Sequence, residues 1–362
     1  MAKILMKGNE AVGAAAIAAG CKFFFGYPIT PQSEVPEYFS RELPKVGGTF
    51  VQAESEIAAI NMIYGCAGTG TRCMTSSSSP GISLKQEGIS YLAGAELPCV
   101  IVNMMRGGPG LGSIQPSQTD YFQSTRGGGN GDYRLLAYAP ASIQEMADLI
   151  IQGFDKADIY RTPVMIVGDG MLGQMMEPLE INAEKRSDLP PKDWAATGNP
   201  GNRPNNVINS LYLSAVELEA HNRHLIDKYK KITENETLVE EVNLGGELDL
   251  VFSAYGSVSR ICKSAMEELT RKGYKVGMIR PITIWPYPYS SFEKLGNKVK
   301  DVLVVEMNQG QMVDDVKIGV AGRQNVHFYG RQGGVIPTTE EIVKVALDIL
   351  EGKNERKVKS RL

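Results

Sequence analysis

Residues 23–31 read FFFGYPITP, an apolar run that ends in glycine and then meets two prolines. An unbroken apolar run bounded by turn formers fits a strand buried on both faces, because a half-exposed strand alternates apolar with polar residues. Pro28 and Pro31 fix the backbone on either side of Thr30. The chain therefore leaves this strand through a rigid turn and enters the helical pattern of 33–41. The same succession recurs through the first half. Strands are predicted at 23–26, 49–52, 72–75, 99–104, 135–139 and 163–167, with helices at 10–19, 33–41, 55–67, 82–93 and 142–160. Such alternation builds a parallel sheet covered by helices, a doubly wound α/β domain. Ser55 ahead of Glu56, and Ser142 three residues ahead of Glu145, supply N-cap chemistry.

Working outward, residues 1–175 form this first domain. Between 176 and 247 the periodicity breaks into Pro, Asn and charged residues, followed by a polar helix from about 214 to 231, which reads as a linker or arm. Its length exceeds an ordinary connection, so it is expected to wrap a neighbouring domain or subunit. Alternation resumes over 248–352 as a second, smaller α/β domain, with the runs "LDLVFSAYGS", "YKVGMIRPITIWP", "DVLVVEMNQG" and "NVHFYG" as strands. Residues 353–362 are a charged tail.

Composition excludes several classes. The 362 residues are 43% hydrophobic and 22% charged with a net charge of -3, so no basic surface is available to neutralise nucleic-acid phosphates. Every apolar run is interrupted well before the roughly 20 residues a membrane span requires. The N-terminus lacks the apolar core and small-residue cleavage site of a signal peptide. A cytoplasmic location, without membrane attachment, is expected. The five cysteines are scattered, with no Cys-x-x-Cys pair, so any iron–sulfur centre must sit on another chain. Nucleotide signatures are missing: "RGGPGLG" lacks the dinucleotide spacing and there is no G-x-x-x-x-G-K-[ST]. The three histidines stand beside no plausible nucleophile.

What remains is a set of polar residues at strand ends. Thr30 sits in the rigid turn, where it either presents a hydroxyl to a ligand or caps the following helix. Glu54 and Glu56 open a helix whose dipole favours carboxylates. Residues 75–81, TSSSSPG, form a hydroxyl-rich turn that binds an anion or caps a helix. Lys85 lies one turn on, as a cation near the crevice or a solvated helix lysine. Arg106 ends an apolar strand inside a glycine loop, an arrangement suited to clamping a carboxylate. All four segments leave consecutive parallel strands, so they should meet at the carboxyl edge of the sheet.

Taken together, GYPITP at 26–31, AESEIAAINMIYGCAGTGTR at 53–72, SSPGISLKQEG, VNMMRGGPG, IRPITIWPYP and VVEMNQGQM resemble the α subunit of the 2-oxoacid:ferredoxin oxidoreductases over nearly the whole chain. The resemblance is closest to the branched-chain type, which acts on 3-methyl-2-oxobutanoate, with the 2-oxoglutarate type next. It implies a thiamine-diphosphate pyrimidine-type domain followed by a transketolase C-terminal-like domain. It also implies coenzyme A-dependent oxidative decarboxylation, with electrons passing to ferredoxin. Glu56 would bond the aminopyrimidine ring and help generate the reactive ylid, with Glu54 as the lesser alternative. Thr30 and Arg106 would contact substrate, and Tyr27, Pro28 and Ile29 would line the cofactor. The resemblance places thiamine diphosphate and Mg2+ mainly on a β subunit and 4Fe-4S clusters on partner subunits, among them a γ and a ferredoxin-like δ subunit. It leaves no metal on this chain.

Other readings stand beside this one. A noncatalytic assembly subunit would not need an arginine clamp beside a rigid hydroxyl. A self-sufficient transketolase-like enzyme would need its own diphosphate site. Gly168-Asp169-Gly170 with Asn199 imitates such a site, but the proline-rich stretch between them reads as a decoy. Arg280, Trp285 and residues 306–311, EMNQGQ, read as sheet-edge, interface or turn features rather than catalytic ones.

Overall fold

The apolar run 23–26 forms a strand because its phenylalanines have helices on both sides to pack against. Phe24 is fully buried and stacks on Phe39 at 4.3 Å between ring centroids. In the computed structural model, residues 3–183, 186–198, 201 and 203–353 are described. They begin with β1 (Ile4–Lys7), α1 (Gly8–Ala18), β2 (Phe23–Gly26), α2 (Glu34–Glu42), β3 (Thr49–Gln52) and α3 (Glu56–Gly68). Then follow β4 (Cys73–Ser77), α4 (Ser79–Gly94), β5 (Cys99–Met105), α5 (Tyr121–Thr125), β6 (Leu136–Tyr138), α6 (Ile143–Tyr160), β7 (Pro163–Asp169), α7 (Gly170–Gln174) and β8 (Met176–Leu179). Ser55 and Ser142 do cap their helices, accepting from the amides of Ala58 at 3.2 Å and Glu145 at 3.1 Å.

The second half contributes α8 (Ala215–Glu236), β9 (Val239–Val242), β10 (Leu250–Ser253), α9 (Val258–Arg271), β11 (Val276–Pro281), β12 (Thr283–Trp285), α10 (Tyr289–Glu293), β13 (Asp301–Glu306), α11 (Met312–Val320), β14 (Asn325–Gly330) and α12 (Thr339–Leu350). The main sheet has seven strands in the order β12-β6-β7-β5-β4-β2-β3, and the second has five in the order β14-β13-β10-β11-β9. The main sheet is parallel except for β12, which runs antiparallel to β6, and β9 runs antiparallel to β11 in the second. The expected doubly wound α/β architecture is therefore present.

Several local expectations are corrected. Residues 76 and 77 are strand rather than turn: Ser76 and Ser77 pair with Val102 and Asn103, and both are fully buried. Ser76 offsets its burial by donating to Gln32 Oε1 at 2.5 Å, whereas the Ser77 hydroxyl has no partner among the described residues. The following helix begins at Ser79, three residues earlier than expected, with Pro80 in its first turn. Residues 4–7, outside the predicted elements, form β1, which pairs antiparallel with β8. The polar stretch after β8 returns over the first sheet's helices. There the Arg161 guanidinium lies 4.4 Å from the Trp194 ring centroid and Lys192 Nζ meets Asp158 at 2.6 Å. The charged tail beyond Lys353 lies outside the described residues.

Candidate functional site

Strands β3, β2, β4 and β5 are direct neighbours and parallel, so their carboxyl ends share one edge. The expected convergence occurs there. Arg106 follows β5 and is 8% exposed. Its guanidinium donates from Nη1 to the Thr30 carbonyl at 2.9 Å and from Nη2 to the Leu111 carbonyl at 3.2 Å. Its Nε–H is buried and has no partner among the described residues. A guanidinium carries five donors in a planar fork, and two carbonyls leave it short of acceptors and unneutralised. The arrangement suits a carboxylate received in bidentate fashion.

The base of this arginine is fixed from beneath. The Arg106 amide donates to Ser79 Oγ at 3.0 Å, and the Ser79 hydroxyl donates to Asp120 Oδ2 at 2.6 Å, where Asn103 Nδ2 also donates at 2.9 Å. Burial pushes the Asp120 carboxyl above the usual range. Ser79 belongs to the hydroxyl-rich segment 75–81 singled out in the sequence, whereas nothing local marks Asp120. Thr30 itself is exposed and does not cap α2, whose N-cap is Ser33. Tyr27 and Pro28 are exposed on the same turn and Ile29 is half-buried.

Glu56 is 6% exposed at the first position of α3, whereas Glu54 is exposed and accepts from the Ser55 hydroxyl at 2.9 Å. No group among the described residues donates a hydrogen bond to the Glu56 carboxylate. The residue is buried while its carboxylate oxygens take no donor from the protein, which leaves them available to an incoming ring N–H or shared proton. Gly81 lies against it: a Cβ there would stand 2.7 Å from Glu56 Oε1 and 2.0 Å from Ser77 Oγ, itself a buried hydroxyl without a partner. Glycine therefore keeps the face of the carboxylate open. These features fit the aminopyrimidine edge of thiamine diphosphate.

Lys85 is not a solvated lysine. It is fully buried, and Nζ donates to Thr75 Oγ1 at 2.8 Å and to the Ser76 carbonyl at 3.0 Å. Burial lowers its pKa to about 7, against the opposing influence of the Glu56 charge.

The remaining candidates have structural partners. Asp169 caps α7, accepting from the amides of Met171 at 2.9 Å and Leu172 at 3.1 Å, and also bonds Ser257 Oγ. Asn199, its imagined companion, lies outside the described residues. Arg280 makes a bidentate pair with Glu145 at 2.7 and 2.9 Å and a third bond to Glu240. Trp285 lies on β12 at the edge of the main sheet. Glu306 is buried under the start of α11 and accepts from the amides of Met312 at 2.9 Å and Val313 at 3.0 Å. The EMNQGQ segment is thus a strand-to-helix turn, and it packs on the first half through Met307 N–H to Gln118 Oε1 at 2.9 Å. A cavity of about 840 Å3 opens beside the Arg106 loop, lined by Ser79, Gly108, Asp120, Gln309 and Gln332, so both halves of the chain wall this neighbouring cavity.

Residues 14–240 match the family described as pyruvate flavodoxin/ferredoxin oxidoreductase, thiamine diphosphate-binding. The chain belongs to the pyruvate flavodoxin/ferredoxin oxidoreductase family. Residues 249–342 match a second region of these oxidoreductases, pyruvate:ferredoxin oxidoreductase core domain II. Among its relatives is the ketoisovalerate oxidoreductase subunit VorB of Methanothermobacter thermautotrophicus, 47% identical over 95% of this chain and 97% of that one. The 2-oxoglutarate synthase subunit KorA of Methanocaldococcus jannaschii is 39% identical over 94% and 98%. The 2-oxoglutarate:ferredoxin oxidoreductase of Magnetococcus marinus, solved with 2-oxoglutarate, coenzyme A and succinyl-CoA bound, shares the fold at a TM-score of 0.83 and 29% identity. It covers 96% of this chain, which in turn spans 65% of that one. Like VorB and KorA, named as subunits, this family member is a subunit of a multi-subunit thiamine-dependent oxidoreductase. No helix among its described residues is long and apolar enough to cross a membrane.

Proposed function

We propose that this chain is the α subunit of a coenzyme A-dependent 2-oxoacid:ferredoxin oxidoreductase whose substrate is 3-methyl-2-oxobutanoate. The observation that carries the reaction class is the meeting of Arg106 with the Thr30 turn on the edge that also buries Glu56. The substrate assignment rests on the 47% identity to a ketoisovalerate oxidoreductase subunit.

In this reading Arg106 receives the substrate carboxylate on its unpaired Nε–H and free Nη donors, and the exposed Thr30 hydroxyl bonds the carboxylate or the 2-oxo oxygen. Glu56 holds a proton against a ring nitrogen of the aminopyrimidine, while Tyr27, Pro28 and Ile29 border the ring. When bound, thiamine diphosphate supplies the nucleophilic carbon and the electron sink for decarboxylation. The diphosphate and Mg2+ belong to a β subunit in this scheme, since Asp169 is committed to its helix cap and to Ser257. In this reading 4Fe-4S clusters on γ and δ partners would carry the electrons to ferredoxin in the cytoplasm, and coenzyme A would accept the acyl group. Residues 1–175, 248–352 and the arm between them are read as the pyrimidine-type domain, the transketolase C-terminal-like domain and their brace.

A 2-oxoglutarate activity is the second reading, favoured by the 39% identity to a 2-oxoglutarate synthase subunit. That substrate brings a second carboxylate, and Lys85, on the helix that follows β4, is fully buried on Thr75 and Ser76. The test is viologen-dye reduction by the chain alone and co-expressed with its partner subunits, across a panel of 2-oxoacids. Activity confined to the complex and highest with 3-methyl-2-oxobutanoate is expected. Activity of the isolated chain would refute the shared site, and preference for 2-oxoglutarate would select the second reading.

A further inference from the structure

Lys85 is an unusual residue to find at zero exposure in the middle of a helix. A lysine sequestered from water normally lies against a carboxylate. Lys85 instead donates to two neutral oxygens of β4, the Thr75 hydroxyl at 2.8 Å and the Ser76 carbonyl at 3.0 Å. Among the described residues no carboxylate comes within salt-bridge distance of it. Gly81, one turn before Lys85 on α4, would carry its Cβ 2.7 Å from Glu56 Oε1, so Glu56 lies about one helical turn from Lys85 across the packing of α3 against α4, and β4 offers only those neutral partners. Glu56 is itself a buried residue with no hydrogen-bond donor among the described residues. Two opposite charges thus lie close enough in a poorly screened interior to influence each other, without touching.

We propose that Lys85 is a positioning residue that sets the charge of Glu56, its ammonium held on β4 near the carboxylate when the site is empty and giving up its proton when an aminopyrimidine ring settles against Glu56. The proposal rests on the reading of Glu56 as the ring's partner. Its physical basis is the cost of leaving a charge unpaired at a buried site. Before binding, the pair holds one carboxylate and one ammonium. After binding, a proton sits between Glu56 and the ring nitrogen, which removes the negative charge that stabilised the ammonium and leaves a lone buried cation. Lys85 then sheds its proton, and one proton enters the Glu56 site as one leaves Lys85. The two exchanges are coupled by charge and need no direct path. The lowered pKa of Lys85, about 7, agrees with an amine able to make this exchange at physiological pH. An ordinary lysine would hold its proton too firmly.

The experiment is calorimetric titration of thiamine diphosphate with Mg2+ into the assembled, cofactor-stripped complex, in buffers of differing ionisation enthalpy, which counts protons exchanged on binding. For the wild type, net uptake near zero at about pH 6 and rising towards about one proton at about pH 8 is expected. Lys85→Met removes the internal donor, so uptake of about one proton at both pH values is expected, with cofactor affinity falling about tenfold per pH unit. A merely structural lysine would change affinity and leave the proton count alone. Lys85→Gln, which keeps a donor to Thr75 and Ser76, serves as the second variant should Lys85→Met fail to assemble. Equal proton counts for wild type and variant at both pH values would overturn the proposal. Glu56→Gln separates this from failure of the underlying reading: if Glu56 does not meet the ring, that variant binds the cofactor with unchanged affinity and proton count.

Discussion

The Arg106 guanidinium and the Thr30 carbonyl, 76 residues apart in sequence, are joined by a 2.9 Å hydrogen bond that ties the loop after β5 to the turn after β2. A second bond to Leu111 within the loop leaves the guanidinium held in orientation but not in charge. Replacing Arg106 with alanine should lower kcat/KM for the 2-oxoacid by about 100-fold, the worth of a charge-assisted bidentate contact of roughly 3 kcal/mol. Arg106→Lys keeps the charge and loses the fork, so an intermediate loss carried mainly by KM is expected. Steady-state kinetics of the complex decide it: an unchanged KM in Arg106→Ala would remove the arginine from the substrate site.

Glu54 and Glu56 differ by two positions and by environment, since one is exposed and the other is 6% exposed beside Gly81. Glu56→Gln should abolish dye reduction in the complex, and Glu54→Gln should leave it within about twofold, as an exposed carboxylate contributes little. The reverse pattern would transfer the role to Glu54.

Burial of Lys85 also has a stability signature. Its folded pKa, about 7, lies below the ordinary value of 10.5, so between those values the unfolded chain binds a proton that the folded chain does not. Stability therefore rises with pH across that window, and the penalty for burying the charge is complete below about pH 7. Lys85→Met should flatten this dependence, gaining a few kcal/mol relative to wild type on going from about pH 10 to about pH 7. Denaturant unfolding at a series of pH values measures it, and parallel curves for the two proteins would contradict the burial.

Arg280 fastens the two halves, with its bidentate bonds to Glu145 on α6 and a third to Glu240 on β9. Arg280 is buried, but Glu145 and Glu240 are part-exposed and Glu240 keeps Lys263, so removing the arginine should cost about 1.5–3 kcal/mol, the worth of hydrogen bonds to charged groups. Arg280→Met should lower thermal stability accordingly while leaving KM for the 2-oxoacid unchanged. A shift in KM without loss of stability would point to a role at the site instead.

Much of this was legible in the sequence, for physical reasons that can be named. Strands such as 99–104 and 163–167 announce themselves because burial on both faces demands an apolar run. Arg106 stood out because a charged residue at the end of such a run has few structural uses. The misses share a different cause. Lys85 has the local surroundings of any helical lysine, and only the packing of α3, α4 and β4 removes it from water. Ser76 and Ser77 read as turn because their hydroxyls suggest solvent, whereas the Ser76 partner, Gln32, is 44 residues away. Asp120 has no sequence signature at all, since Ser79 and Asn103, which hold it, come from two other elements.

The excursion of β12 into the main sheet has its own consequence. A strand from residues 283–285 closes the edge of a sheet whose other members all precede residue 170. A fragment cut anywhere within the arm would leave β6 with an open edge, a template for pairing with other chains. The two halves are therefore interlaced like clasped hands: neither can be swapped, circularised or expressed as a module without taking this short strand along, and any fusion or division of such subunits is constrained to junctions outside it.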